Sequence, residues 1–108
     1  MAKDSLKLAD DQMCFGCGRS NAKGLKLRFT LDLKRREIQT SWKPTKAFQG
    51  YANIVHGGMI GLVLDELMVN LLWKLGLPSV TAQMSVRFLS PARVGRLITC
   101  QARIASQK

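Results

Sequence analysis

Residues 59–75 form an apolar run that constrains the fold more than any other feature of the chain. Arranged as a helix, the run is apolar on nearly every side, so we expect it to lie in the centre of the molecule and not on its surface. Gly57 and Gly58 precede the run, and Gly76 and Pro78 follow it. Glycine just past a helix end, with proline beyond, is typical of helix termination. The sequence therefore predicts one central helix that begins at Gly57 or Gly58.

Two neighbouring acids, Asp65 and Glu66, lie inside this apolar run. A carboxylate in a buried helix costs free energy unless it is paired, hydrated or used. The glycine pair at the helix start exposes backbone N–H groups at the positive end of the helix dipole. An N–H donor and a carboxylate on one element suit the hydrolysis of an activated acyl group.

The spacing of these groups limits how they can cooperate. Gly58 and Asp65 are seven residues apart, which is roughly 10 Å along a helix. Reacting atoms must approach to about 3 Å, so one carbonyl cannot contact both groups of the same helix. Either the two groups are unrelated, or Asp65 of a second chain completes the site. We adopt the second interpretation, which predicts a homodimer or a tetramer.

Charge indicates the kind of partner. The chain has 17 Lys and Arg against 7 Asp and Glu, a net charge of +10, which favours an anionic partner. The basic residues are dispersed and no nucleic-acid-binding motif is present, so a phosphate-rich small molecule such as coenzyme A is preferred to nucleic acid. The acids inside the apolar run argue against a membrane span. Without an apolar N-terminal stretch, we expect a cytoplasmic protein.

Cysteine spacing raises the question of a metal. Cys14 and Cys17 have the spacing of a zinc half-site, but no second Cys pair or His pair is present to complete four ligands. The strand and helix of a thioredoxin-like redox motif are also missing from this context. We therefore expect two thiols in a compact N-terminal loop, with no metal and no cofactor.

Alternating apolar and polar residues predict the strands. We expect one domain over residues 1–108, with residues 1–24 as an N-terminal cap segment and an element order of β-β-α-β-β. The predicted class is α+β, with an antiparallel sheet wrapped around one central helix, and with Trp42 and Trp73 in the core. The predicted strands cover residues 25–31, 37–42, 80–88 and 97–104.

Several motifs together resemble the hotdog-fold thioesterases of the PaaI-like group. They are Cys14-Phe-Gly-Cys-Gly, Asn21-Ala-Lys-Gly-Leu, Phe48-Gln-Gly-Tyr, Ile54-Val-His-Gly-Gly, Asp65, Thr81 and Phe88-Leu-Ser-Pro-Ala-Arg-Val-Gly. The resemblance implies a hotdog fold and the hydrolysis of acyl-CoA thioesters to the free acid and CoA.

The resemblance also implies roles for individual residues. Gly58, with Gly57, donates backbone N–H to the thioester oxygen, and Asp65 of the neighbouring protomer is the general base or nucleophile. Thr81 positions water, and His56 shapes the loop and contacts substrate. The residues expected to bind substrate are Asn53, Arg87, Arg93 and Arg96.

Two departures from the family pattern qualify these expectations. Some members have an Asn six residues before the His, where this chain has Gly50, so polarisation of the carbonyl rests on backbone N–H groups. This departure, together with the shortness of the chain, favours an alternative function, a non-catalytic acyl-CoA-binding module. A full hotdog sheet also has two further strands after the one at 97–104. We therefore expect either that the chain is a fragment or that other chains supply the missing pairing.

Overall fold

Within residues 7–107, the fold has one antiparallel sheet and one long helix. The structure is a computed structural model that describes residues 7–107, so the start of the predicted cap segment, residues 1–6, lies outside the described residues. The strands are β1 (Thr30–Asp32), β2 (Glu37–Trp42) and β3 (Ile98–Arg103), and the helix α1 spans Gly57–Lys74. The sheet has the order β1-β2-β3. The predicted α+β class is confirmed.

Strand β2 is the central strand, and its pattern explains why. Ile38, Thr40 and Trp42 are buried while the residues between them are exposed, so the strand turns one face to the helix. Its neighbours on both sides are antiparallel, with Thr40 opposite Cys100 of β3. The hydroxyl of Thr40 donates to the backbone oxygen of Arg28 at 2.6 Å, which satisfies a polar group that would otherwise be buried without a partner.

The ends of α1 agree with the sequence prediction. The helix begins at Gly57 and its last helical residue is Lys74. Gly76 has a φ of +80°, and the N–H of Leu77 donates to the oxygen of Leu72 at 2.8 Å. This is the hydrogen bond of a Schellman motif, in which glycine adopts the left-handed conformation at low cost.

Burial of α1 is less complete than its composition predicts. Val63, Leu67 and Leu71 are buried against the sheet, but Met68 is 40% exposed and Trp73 is 45% exposed. The described sheet has three strands and covers one face of the helix, so the prediction that Trp73 lies in the core is wrong. Trp42, which is 8% exposed, is in the core as predicted. No helix within residues 7–107 is long and apolar enough to cross a membrane.

The predicted strand at residues 80–88 is not found. None of its backbone is paired with a strand among the described residues, although Met84 and Phe88 lie beside α1. Alternation favours an extended shape, but a strand also needs a hydrogen-bonded neighbour. The predicted strand at 25–31 is likewise reduced to its end, because Leu25 donates its N–H to Phe15 of the cap segment at 2.9 Å.

Candidate active site

Backbone hydrogen bonds hold the start of α1 between two loops. The N–H of His56 donates to the oxygen of Phe48 at 2.8 Å, and the N–H of Val55 donates to the oxygen of Ala92 at 2.9 Å. Phe48 closes a short 3-10 helix, Lys46–Phe48. Ala92 belongs to the turn that contains Pro91, which lies outside the predicted strands. This turn and the loop at Phe48 therefore both support the helix start.

His56 caps the helix with its side chain. Its Nδ1 accepts the N–H of Gly58 at 2.9 Å, so the ring is bonded to one of the N–H groups that a helix start leaves free. The N–H of Gly57 has no hydrogen-bond partner among residues 7–107. The sequence analysis placed Gly58 first as the donor, with Gly57 beside it. In the structure Gly58 is engaged by His56, and Gly57 presents the free N–H.

A groove runs along one face of α1. Gly57, Gly61 and Asp65 recur every four residues and thus lie on the same side of the helix. The groove has a volume of about 480 Å³, and Met84, Val86 and Phe88 form its opposite wall. A Cβ at Gly57 would lie 3.5 Å from the Phe88 ring, and a Cβ at Gly61 would lie 3.7 Å from Met84. The two glycines therefore set the width of the groove.

Asp65 is the charged group of this groove. It is half-buried, and it is the only charged side chain among the described residues that line the groove. Its Oδ1 accepts a short hydrogen bond from the hydroxyl of Thr81, so the structure brings this predicted pair together. No basic side chain within residues 7–107 forms an ion pair with Asp65. A simple helix salt bridge therefore does not account for this acid.

The two ends of the groove are too far apart for one carbonyl to contact both. Gly57 and Asp65 are separated by eight residues, which is about 12 Å along the helix axis. A donor at one end and a carboxylate at the other cannot both lie within about 3 Å of one reacting centre. Within one chain, the Gly57 N–H and the Asp65 carboxylate therefore cannot act on the same carbonyl.

The predicted substrate-binding residues fall outside the groove lining. Asn53 and Arg93 lie close together beside the helix start, since the N–H of Val94 donates to the oxygen of Asn53 at 3.0 Å and Arg93 pairs with Ile54. Arg87 and Arg96 are exposed, as are Asn53 and Arg93. The structure thus groups Asn53 and Arg93 at the helix start, and places Arg87 on the segment that forms the far wall.

Gly50 occupies the position where some members of the family have an additional Asn. A Cβ at Gly50 would lie 3.6 Å from Cδ2 of His56, so this glycine lies against the imidazole ring. The nearby amide of Gln49 accepts the N–H of Asn53 at 3.1 Å. That amide oxygen is therefore bonded within its own loop, and Gly57 provides the free donor at the helix start.

A second polar cluster was missed by sequence reasoning. The Cys14 Sγ donates to Glu66 Oε1 at 3.2 Å, and the Asn70 Nδ2 donates to the same oxygen at 2.9 Å. Burial, followed by the neighbouring Glu66 and Cys14, raises the pKa of the Cys17 thiol well above its ordinary value. The signal that could have found this cluster is the pair Glu66 and Asn70, one helical turn apart within an apolar run.

Comparisons with known proteins show that the chain is similar to thioesterases. A family model described as the thioesterase superfamily matches residues 52–108, while no curated protein matches the chain. A thioesterase superfamily protein of known crystal structure superposes with a TM-score of 0.82 at 20% identity over 98% of this chain. A phenylacetic acid degradation-related protein from Ralstonia eutropha JMP134, described as a candidate thioesterase, superposes with a TM-score of 0.65 at 27% identity over 78% of this chain. The chain spans 57% of the first protein and 66% of the second.

Proposed function

Because the chain belongs to the thioesterase superfamily, we propose that it hydrolyses the thioester of an acyl-CoA to the free acid and CoA. The hotdog fold predicted from the resemblance is confirmed by the same comparisons. One observation carries the proposal: a single groove has the free N–H of Gly57 at one end and Asp65, hydrogen-bonded by Thr81, at the other.

In this proposal the helix start provides the hydrogen-bond donor that polarises the thioester carbonyl. The free N–H of Gly57 points from the positive end of α1, where a developing negative charge on the thioester oxygen is stabilised. A Cβ at Gly57 would lie in ordinary contact with the Phe88 ring at 3.5 Å, so the donor lies beside this wall of the groove. The His56 ring holds Gly58 in the helical turn and thereby fixes the direction of the neighbouring N–H.

Asp65 supplies the other half. The Thr81 hydroxyl binds Oδ1, which leaves Oδ2 to react. As a general base, Oδ2 takes a proton from water while the water oxygen bonds to the thioester carbon. As a nucleophile, Oδ2 itself bonds to that carbon and forms an anhydride that water then hydrolyses. In both routes the carbon–sulfur bond breaks, and CoA leaves as a thiolate that takes up a proton.

A complete site requires two chains in this proposal. The separation of about 12 Å between Gly57 and Asp65 is overcome if Asp65 of a second copy faces the helix start of the first. Segment 80–88 exposes a surface for such contact, with Val80 at 47%, Met84 at 41% and Phe88 at 58% exposure. We therefore propose a homodimer, or a tetramer built from two such dimers.

The phosphates of coenzyme A fit the charge of the molecule. The net charge is +10, and Arg93 is an exposed side chain in the turn that lies beside Asn53 and Ile54. Arg87 and Arg96 are also exposed. Guanidinium groups bind phosphate in a bidentate manner, so these arginines are the proposed contacts of the nucleotide portion.

The decisive experiment measures thiol release from a panel of acyl-CoA esters that vary in chain length and aromaticity. We expect Asp65→Asn to lower kcat by about a hundredfold or more, because the amide lacks the basic oxygen. Asp32→Asn is the matched control, since the Asp32 side chain is 51% exposed on β1 and should leave kcat unchanged. Near-wild-type turnover by Asp65→Asn would show that the catalytic assignment is wrong.

One observation favours the second candidate, a non-catalytic acyl-CoA-binding module. Gly58 is bonded to His56 and Gly50 has no side chain, so a single free N–H remains at the helix start. Loss of one oxyanion donor typically lowers a rate about a hundred- to a thousandfold. Saturable binding of acyl-CoA without thiol release by the wild-type chain would identify this second function.

A further inference from the structure

The cap segment and α1 together form a cluster of metal-ligating side chains outside the groove. Cys14 and Cys17 flank a turn, and Glu66 faces them from the helix. One ligand atom from each of the three residues can be chosen such that all lie within 4.8 Å of one another. We propose that Cys14, Cys17 and Glu66 bind one zinc ion, with water as the fourth ligand.

The distances suit zinc coordination. Tetrahedral zinc with bonds of about 2.3 Å to sulfur and about 2.0 Å to oxygen needs ligand atoms about 3.5 to 4 Å apart. The Cys14 Sγ and Glu66 Oε1 are 3.2 Å apart, and the chosen ligand atoms of the three residues lie within 4.8 Å of one another.

Asn70 orients the Glu66 carboxylate, and a neighbouring cavity gives an ion access to it. Asn70 Nδ2 donates to Glu66 Oε1 at 2.9 Å and to the Glu66 backbone oxygen at 2.8 Å, the kind of second contact that orients a metal ligand. A Cβ at Gly16 would lie 2.5 Å from Glu66 Cδ, so glycine at that position lets the turn approach the carboxylate. A cavity of about 190 Å³ adjoins all three ligands.

The chemistry of the set selects the metal. Two thiolates favour zinc over magnesium or calcium, which prefer oxygen ligands. Two thiolates, one carboxylate and Zn²⁺ carry a net charge of about −1. The sequence predicts no metal here because it shows two ligands only, whereas α1 brings a third ligand from 49 residues beyond Cys17.

The proposal is independent of thioester hydrolysis, because none of these three ligands lines the groove. The metal would join the cap segment to α1. Its presence is therefore expected to raise the melting temperature, and the test uses binding and not turnover as its readout.

The test titrates the full chain with Co²⁺ after treatment with a chelator, in a phosphine reductant. We expect one equivalent to bind with sulfur-to-cobalt charge-transfer absorption, and Zn²⁺ to displace it. Cys17→Ser should at least halve that absorption because only the Cys14 thiolate remains, and Glu66→Gln, which keeps the side-chain shape, should weaken affinity at least about tenfold. Cys100→Ala is the control, because this buried thiol on β3 is not part of the cluster.

Several outcomes would overturn the proposal. They are the absence of charge-transfer absorption in the reduced wild-type chain, equal affinity in wild type and Glu66→Gln, and an equal loss of affinity in Cys100→Ala. A Cys14–Cys17 disulfide that forms on air oxidation, with no metal uptake by the reduced chain, would also overturn it and assign the pair to redox chemistry.

Discussion

Asp65 and Glu66 are neighbours in the helix, but their hydrogen-bond partners differ. The acid lies on a mostly apolar helix, yet its partner is the Thr81 hydroxyl and not a cation. A hydrogen bond to one oxygen fixes the rotation of the carboxylate, and the other oxygen keeps a defined direction. Glu66, the next residue, has quite different partners, Cys14 and Asn70, because successive helical residues point about 100° apart.

The contact between Thr81 and Asp65 leads to a prediction for Thr81. Thr81→Val keeps the shape but removes the hydrogen bond, and a bond to a charged group is worth about 1.5–3 kcal/mol. We expect kcat to fall about ten- to a hundredfold, with KM little changed. Thr81→Ser restores the hydroxyl and is the matched control. Equal kcat values for Thr81→Val and Thr81→Ser would show that the hydroxyl does not position Asp65.

The start of α1 is the element on which the proposed chemistry depends most. His56 is the N-cap residue, and its side chain accepts the hydrogen bond of the Gly58 N–H. The loops at Phe48 and Ala92 fix its backbone. Capping of one N–H makes the neighbouring free N–H of Gly57 a defined donor instead of one of several solvated groups. The helix dipole then acts at a single position.

The backbone geometry allows that donor to be deleted almost alone. Proline is favoured at the first position of a helix, and the ψ of 130° at His56 suits a residue that precedes proline. We therefore expect Gly57→Pro to lower kcat about a hundred- to a thousandfold while the thermal melt stays near that of wild type.

Gly57→Ala separates the loss of the donor from the loss of the glycine. It keeps the N–H, and its Cβ would lie at an ordinary contact distance of 3.5 Å from the Phe88 ring. Alanine should therefore lose much less activity than proline. If Gly57→Pro is folded and turns over substrate like Gly57→Ala, another group polarises the carbonyl.

At the scale of the whole molecule, the two-chain site predicts complementation. Asp65→Asn and Gly57→Pro are each expected to be inactive, but a mixed dimer contains one site with both intact groups. Random mixing makes half of the dimers mixed, so about a quarter of wild-type activity should return. The activity is measured after the two variants are refolded together, with light scattering to verify dimers. Mixed dimers that remain inactive would contradict the two-chain site.

The charge of the whole chain predicts a salt effect on substrate binding. Exposed charges are screened over about 10 Å at 0.1 M salt, so an increase from about 50 to about 500 mM should raise KM for acyl-CoA several-fold. The matched control is the same acyl group on pantetheine, which lacks the phosphates, and its KM should stay nearly constant. A KM for acyl-CoA that does not change with salt would exclude the arginines as phosphate contacts.

The sequence by itself determined those elements that depend on residues close together in the chain. Strand β2 and helix α1 have nearly their predicted bounds, because alternation and helix-end glycines act within a few residues. The sequence also proposed Asp65 and Thr81 as site residues, whose side chains are in contact in the structure, and it placed the glycine pair at the helix start. What it could not determine was which N–H remains free, since that depends on the rotamer of His56.

Only the tertiary structure decided the features that join distant parts of the chain. Segment 80–88 alternates as a strand does, but pairing needs a neighbouring strand, and none of the described residues provides one. Trp73 is apolar but lies 45% exposed, because the sheet covers one face of α1. The meeting of Cys14 with Glu66 across 52 residues likewise follows from how the cap segment packs on the helix, which residue spacing alone does not encode.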